Sequence, residues 1–234
     1  MSKNILIIGG SSGIGLESAK YLICQGFNLY IAARTNPNIK EIKYHYIDVT
    51  NEESIENTFS YFKSLKLNLD ALVYSTGITT AKKPIEQFNK TNFDSIININ
   101  VTGAVLCLKY AYSLLKRSKG KVIIINSLAS KTFSKFSGIE YTISKSALNG
   151  LVNQLSQEWA KDKILINSIV PSMVKTNMLK NTLSENEIID LEKELPLKKL
   201  LEPIEIAKAI EFLIRNDYTT GSSINITGGI YLNG

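Results

Sequence analysis

Short apolar segments alternate with longer amphipathic ones along almost the whole 234-residue chain. The short segments are rich in Ile, Val and Leu, as is typical of strands buried on both faces of a sheet. Seven are predicted as strands: Asn4–Ile8, Asn28–Ala33, Lys43–Ile47, Ala71–Ser75, Lys121–Asn126, Ile164–Val170 and Ser223–Ile226. Five longer segments are predicted as helices: Gly13–Gln25, Glu52–Leu65, Thr91–Lys116, Gly138–Lys161 and Pro203–Arg215. The alternation predicts an α/β protein with a single-domain Rossmann fold, a doubly wound parallel sheet of about seven strands with helices on both faces.

The composition is that of a folded globular protein. Hydrophobic residues make up 44% and charged residues 21% of the chain, and no apolar run is long enough to span a membrane. The segment Met1–Asn4 leads directly into a strand and lacks a signal-peptide pattern. We therefore expect one domain over residues 1–234, in a cytoplasmic protein without membrane contact.

The net charge of +6 favours an acidic partner, but the lysines are dispersed. The densest group, Lys116–Lys121, falls at a predicted helix end, where positive charge is favourable in any case. Docking of an acidic acyl carrier protein is the alternative interpretation of this segment. No nucleic-acid-binding motif accompanies the charge, so we expect no nucleic acid partner. Cys24 and Cys107 lack metal-ligand spacing and are expected to be buried free thiols, and we expect no metal ion.

A glycine-rich turn, Ile8–Gly15, joins the first predicted strand to the first predicted helix. Gly9 suits the tight turn, Gly13 lets the backbone approach a pyrophosphate, and Gly15 lets the helix pack closely on the strand. The free N–H groups at the helix N-terminus then face the phosphates. The residues expected to contact a dinucleotide here are Gly9, Ser11, Ser12, Gly13, Ile14 and Gly15.

The residue after the second predicted strand bears on the choice of cofactor. Enzymes that prefer NAD commonly have a carboxylate near this position, which binds the ribose hydroxyls. This chain has Arg34 instead, whose planar guanidinium suits a 2′-phosphate. The position favours NADP(H) over NAD(H), and the alternative is a solvated loop arginine.

Tyr141 and Lys145 are four residues apart in a predicted helix, so their side chains share one face. The ordinary pKa of tyrosine, about 10, is too high for acid–base chemistry near neutrality, and a neighbouring ammonium lowers it by stabilising the phenolate. A Tyr and a Lys at this spacing are common on helices of any function. Ser127, at the end of the fifth predicted strand, and Asn100, earlier in the chain, make the set more specific.

The glycine spacing Gly-x-x-x-Gly-x-Gly and the ordered set of Asn, Ser, Tyr and Lys resemble the short-chain dehydrogenase/reductase family. The resemblance extends over Asn4–Gly229. It implies that Ser127 hydrogen-bonds the substrate oxygen and that Tyr141 delivers a proton during carbonyl reduction. It also implies that Lys145 holds the nicotinamide ribose and that Asn100 positions a water in the proton relay.

Further cofactor contacts follow from the same resemblance. Asp48 and Val49 match an Asp-Val pair whose acid meets the adenine ring, although Asp48 or Thr50 is an alternative cap for the helix beginning near Glu52. Gly77 is the one residue that remains of the family's Asn-Asn-Ala-Gly segment. The residues expected near the nicotinamide are Pro171, Val174 and Thr176.

The chain departs from the family pattern at several positions. Ile8 and Tyr74 replace a threonine and an asparagine that support each other on neighbouring strands, so we expect apolar packing in place of a polar contact. Ser172 replaces a glycine. The interval from Ser127 to Tyr141 is one residue longer than is usual in the family.

The resemblance implies an NADP(H)-dependent oxidoreductase that interconverts a ketone and a secondary alcohol, most similar to 3-oxoacyl-acyl-carrier-protein reductases. A reductase of a sugar, polyol or secondary-metabolite ketone is an alternative, because the expected lid, Asn177–Leu200, has no readable pattern. An alternative from another class is a non-catalytic NADP-binding regulatory or scaffold protein. The resemblance also implies a homotetramer or homodimer that pairs helices Asn100–Lys116 and Gly138–Lys161.

Overall fold

The computed structural model describes residues 2–180 and 183–232. Seven parallel strands form one sheet in the order β3-β2-β1-β4-β5-β6-β7. The strands are β1 Asn4–Ile8, β2 Asn28–Ala33, β3 Lys43–Tyr46, β4 Ala71–Tyr74, β5 Lys121–Ile125, β6 Leu165–Pro171 and β7 Ser223–Ile226. Strand order reverses between β1 and β4, which opens a crevice at their carboxyl ends. The predicted doubly wound sheet is confirmed.

Helices cover both faces of the sheet. They are α1 Gly13–Cys24, α2 Glu52–Ser64, α3 Lys90–Ile97, α4 Gly103–Ser118, α5 Ile139–Glu158, α6 Asn177–Lys180, α7 Glu185–Glu194 and α8 Pro203–Arg215. One face packs against α1 and α8, and the other against α2, α4 and α5. Successive residues of β1 alternate between these two apolar clusters because strand side chains point to opposite faces. Among the described residues, no helix combines the length and apolarity needed to cross a bilayer.

The predicted helix Thr91–Lys116 is wrong in one respect, because the structure divides it. A π-helical turn, Asn98–Thr102, separates α3 from α4. Such turns insert one extra residue into an otherwise regular helix and often lie at functional sites. The apolar periodicity continues on both sides of the turn, so the sequence pattern did not reveal it.

Ile8 and Tyr74 lie side by side in β1 and β4, and both are fully buried in one apolar cluster. The expected apolar packing is therefore present. The Tyr74 hydroxyl nevertheless makes a polar contact of its own, donating to the carbonyl oxygen of Ile99 at 2.7 Å. Burial raises the pKa of this hydroxyl, so it remains a proton donor. Tyr74 thus joins the central sheet to the π-helical turn.

The basic segment Lys116–Lys121 lies at the amino ends of the strands, because it joins the end of α4 to the start of β5. Lys121 is buried, and its Nζ donates to Asp217 at 2.6 Å. Lys116 forms an ion pair with Asp162 at 2.8 Å. Lys116 and Lys121 therefore form ion pairs within the fold, at the edge of the sheet opposite the crevice.

The two cysteines differ in exposure. Cys107 is buried in α4, as expected, and burial raises the pKa of its thiol. Cys24, the last residue of α1, is exposed, so the expectation of a buried thiol there is wrong. Its position at the helix end, rather than on the face that packs on the sheet, accounts for the difference.

Candidate active site

A cavity of about 330 Å³ lies at the carboxyl ends of β1 and β2. Its wall includes ten of the residues that the sequence assigns to the cofactor: Gly9, Ser11, Ser12, Gly13, Ile14, Arg34, Asp48, Val49, Gly77 and Thr176. Gly15 is not part of this wall. Gly15 packs against the Gly9 carbonyl oxygen, and a Cβ atom at Gly15 would collide with it. The absence of a side chain at Gly15 therefore allows α1 to pack closely against the turn.

The glycine turn has the geometry that a bound dinucleotide requires. Gly9 has a φ of 84°, and a Cβ at this position would lie 2.5 Å from Thr76 Oγ1. Gly13 has a φ of 53°, and the nearest atom to a Cβ there would be Thr176 Cγ2 at 3.8 Å. The space beside Gly13 is therefore open to a ligand, which fits close approach of a pyrophosphate to the backbone.

Arg34, directly after β2, and Asp48, two residues after β3, both line this cavity. The Asp48 carboxylate accepts hydrogen bonds from the Thr50 backbone N–H at 2.9 Å and from its hydroxyl at 2.7 Å. These bonds, together with the nearby positive charge of Arg34, lower the pKa of Asp48. The alternative that Asp48 or Thr50 caps the next helix is wrong, since Asn51 caps α2 through Ser54 N–H at 2.9 Å.

A second cavity, of about 660 Å³, continues from the first along the carboxyl edge of the sheet. Ser127, Tyr141 and Lys145 line it together with three residues predicted for the nicotinamide, Pro171, Val174 and Thr176. The two cavities share five wall residues: Ile14, Ser75, Thr76, Gly77 and Thr176. They form one crevice that leads from the glycine turn to the tyrosine.

Burial dominates the electrostatics around Tyr141 and Lys145. Burial raises the pKa of the Tyr141 hydroxyl, and the neighbouring Ser127 side chain acts in the opposite direction. Burial lowers the pKa of Lys145 to about 8. Lys145 Nζ lies 5.7 Å from the centre of the Tyr141 ring and donates to the Ile125 carbonyl oxygen at 3.0 Å. In its charged form this ammonium favours the Tyr141 phenolate.

Asn100 lies in the π-helical turn and is fully buried. Its Oδ1 accepts from Ile78 N–H at 2.9 Å, and its Nδ2 donates to the Ile78 carbonyl at 3.0 Å and to Ser144 Oγ at 2.9 Å. Asn100 lines neither cavity. It lies close behind Gly77, since a Cβ atom built on Gly77 would be 3.5 Å from both Asn100 Oδ1 and Lys145 Nζ. The side chain therefore links the segment after β4 to α5, and its contact with a relay water stays a prediction.

Comparisons with known proteins identify the family of this chain. A family model described as enoyl-(acyl carrier protein) reductase matches residues 9–231. The chain belongs to the short-chain dehydrogenase/reductase family of oxidoreductases.

Individual relatives match over nearly the full length. A carbonyl reductase, family member 4, of Xenopus laevis is 29% identical, and the match covers 99% of each chain. A 3-oxoacyl-(acyl-carrier-protein) reductase of Homo sapiens is 27% identical with the same coverage. The solved structure of ElxO with NADP bound has a TM-score of 0.90 at 28% identity and covers 98% of each chain.

Sequence reasoning missed several residues at this site. Thr76 lies so close to position 9 that only glycine fits there. Phe136 and Met173 line the larger cavity. Asn149 approaches the end of β5 from α5, through Asn126. No periodicity or motif marks these residues, because their neighbours come from distant parts of the chain.

Proposed function

We propose that this protein reduces a ketone to a secondary alcohol with NADPH, and that 3-oxoacyl thioesters are its substrate class. The observation that carries the proposal is that Ser127, Tyr141 and Lys145 line the same cavity, with Lys145 Nζ 5.7 Å from the centre of the Tyr141 ring. A protein that only bound a dinucleotide would need no such group at the end of its crevice.

Each of the three side chains has a task in this reaction. When bound, the cofactor supplies the hydride that adds to the carbonyl carbon. Ser127 donates a hydrogen bond to the carbonyl oxygen and so orients the substrate. Tyr141 transfers its hydroxyl proton to that oxygen, which completes the alcohol. Lys145 stabilises the resulting phenolate through its positive charge.

The preference for NADPH rests on Arg34. This side chain is exposed on the rim of the smaller cavity, at the end of β2. A hydrogen bond between a charged group and a phosphate contributes about 1.5–3 kcal/mol, which corresponds to at least tenfold in affinity. Asp48, the nearest carboxylate on this wall, is already hydrogen-bonded to Thr50.

The larger cavity supports a substrate with an apolar substituent. One of its walls consists of Phe136, Met173, Leu179, Leu191 and Leu195, which belong to a third apolar cluster under α7. Lys135 and Glu194, two charged residues on the wall, pair with each other at 3.0 Å. A wall of this kind favours an acyl chain over a polyhydroxylated sugar, whose buried hydroxyl groups need partners. The relatives named as 3-oxoacyl-(acyl-carrier-protein) and carbonyl reductases are consistent with this choice.

The test compares initial rates of NADPH and NADH oxidation with a 3-oxoacyl thioester and with a ketose, and it measures the dissociation constants of the two cofactors. We expect turnover with the thioester and at least tenfold tighter binding of NADPH than of NADH. Arg34→Met should abolish that difference in binding, whereas Arg117→Met, an exposed arginine at the end of α4, should retain it. Turnover of the ketose alone would replace the substrate class, and tighter binding of NADH would refute the cofactor preference.

A further inference from the structure

Two asparagine side chains form a bridge between the strand that ends at Ser127 and the helix that carries Tyr141 and Lys145. Asn126 Oδ1 accepts from the Ser127 backbone N–H at 3.0 Å, and Asn126 Nδ2 donates to Asn149 Oδ1 at 2.9 Å. Asn149 Nδ2 in turn donates to the Ser130 carbonyl oxygen at 3.1 Å. The bridge therefore begins and ends on the short turn that holds Ser127.

The chemistry of the bridge allows one orientation of both amides. The Ser127 N–H can only donate, so Asn126 must present its oxygen there and its NH₂ group to Asn149. The Ser130 carbonyl can only accept, so Asn149 must present its NH₂ group there and its oxygen to Asn126. The two requirements agree, and a carboxylate at either position would lose a donor.

The turn that begins at Ser127 determines where the Ser127 hydroxyl points. Ser127 Oγ accepts from Ala129 N–H at 3.2 Å, while the Ser127 carbonyl accepts from Ser130 N–H at 2.9 Å and from Ser130 Oγ at 2.7 Å. The backbone N–H of Asn126 is bonded to the Ile169 carbonyl of β6 at 2.8 Å. The contacts of Ser127 with Ala129 and Ser130 would still form the turn if the bridge were absent. The turn would then lose the amide link that joins it to α5 through Asn126 and Asn149.

We propose that Asn126 and Asn149 are positioning residues that hold Ser127 in register with Tyr141 and Lys145 across the gap between β5 and α5. Asn149 lies four residues after Lys145, one turn along α5, and is not part of either cavity wall. It acts on the reaction only through Asn126 and the turn. The proposal rests on the proposed ketone reduction, in which Ser127 and Tyr141 must reach the same substrate oxygen. Misplacement of a reacting group by about 1 Å can cost about a hundredfold in rate.

The first experiment is a double-mutant cycle of Asn126→Ala and Asn149→Ala, read as kcat and as NADPH Kd. We expect kcat to fall at least tenfold in each single variant, while NADPH Kd stays within twofold of the unmodified protein. The double variant should be no slower than the slower single variant, because either change opens the same bridge. Asn153→Ala is the matched control. It makes the same change one turn further along α5, at an exposed residue, and should leave kcat within twofold.

Single variants with kcat within twofold of the unmodified protein would overturn the proposal, as would losses that multiply in the double variant. If the unmodified protein turns over no ketone, the proposed function fails at that control, before any comparison between variants is made.

A second variant separates positioning from simple loss of folding. In Asn149→Asp, the ionised carboxylate still accepts from Asn126 but cannot donate to Ser130. The protonated carboxyl restores both roles, with one donor and one acceptor as in the amide. We expect the ratio of its kcat to that of the unmodified protein to rise as the pH falls. A ratio that does not change with pH would contradict the bridge as a positioning device.

Discussion

The hydroxyl of Tyr74 offers a sharp test of how the sheet supports the π-helical turn. Tyr74→Phe keeps the buried ring and removes only the oxygen that donates to the Ile99 carbonyl at 2.7 Å. The fit around this oxygen is close, since a Cβ at Gly103 would lie 2.9 Å from it. We therefore expect the Ile99 carbonyl to stay without a replacement partner in this variant.

The expected cost follows from these contacts. A net hydrogen bond contributes about 0.5–1.5 kcal/mol, and a buried carbonyl that loses a partner costs about 1–3 kcal/mol. We expect Tyr74→Phe to lower the free energy of unfolding by about 1–2 kcal/mol, which for a domain of this size lowers Tm by about 2–8 °C. Gly103→Ala should also destabilise, and somewhat less so in the Tyr74→Phe background, because one of the three atoms that its Cβ would meet is gone while Val49 Cβ and the Val49 carbonyl oxygen, both at 3.0 Å, remain.

The assay is urea unfolding of the protein without ligands, with Tyr30→Phe as the matched control. Tyr30 is also a buried aromatic ring, but its hydroxyl accepts from the exposed Lys43 ammonium at 3.1 Å, which water can solvate after the change. We expect less than about 0.5 kcal/mol for this control. Equal losses for the two variants, or no loss for Tyr74→Phe, would refute the role given to the Tyr74 hydroxyl.

Three further predictions concern stability and assembly. Burial lowers the pKa of Lys145 to about 8, below its ordinary value of about 10.4, so only the unfolded chain binds this proton between those pH values. Chemical unfolding of the unmodified protein and of Lys145→Met gives the difference between their free energies of unfolding at each pH. We expect this difference to rise in favour of the unmodified protein across that window, and a difference that does not change with pH would contradict the prediction. Because Ile8 and Tyr74 are neighbours, Ile8→Thr combined with Tyr74→Asn should cost less than the sum of the single changes, and additive losses would disprove the coupling. Leu151 and Leu155 of α5 are only half-buried in the monomer, so we expect them to pack in an interface between subunits. Sedimentation should show a homotetramer, and a monomer would contradict this prediction.

The strands, and the meeting of several predicted site residues in one crevice, are the parts that the sequence predicts well. The bounds of β1 and β2 agree with the prediction, because a buried parallel strand is a continuous apolar run whose ends are marked by polar or glycine residues. Ser127 and Tyr141 were predicted together because their residue types and order are tied to one chemistry, and the structure places both on the wall of the larger cavity. Gly9 and Gly13 were found because a tight turn beside a ligand requires them.

Other parts depend on contacts that no local pattern encodes. The π-helical turn arises where Asn100 bonds to Ile78 and Tyr74 bonds to Ile99, and both contacts join segments more than twenty residues apart. The amide bridge of Asn149 is similar, since its partners come from the end of β5. The helix α7 is a different case. Its capping box, formed by Ser184 and Glu187, is a local signal that could have predicted the start of this helix.

The central claim is that Tyr141 is the proton donor of an NADPH-dependent ketone reductase, and Tyr141→Phe tests it most directly. NADPH consumption with a 3-oxoacyl thioester and NADPH binding are measured on this variant and on the unmodified protein. We predict that the variant retains NADPH affinity within about threefold and loses about a thousandfold in kcat, in line with loss of a general acid. A variant that still turns over at a rate close to that of the unmodified protein would contradict the account, and the proton would then have to come from another group.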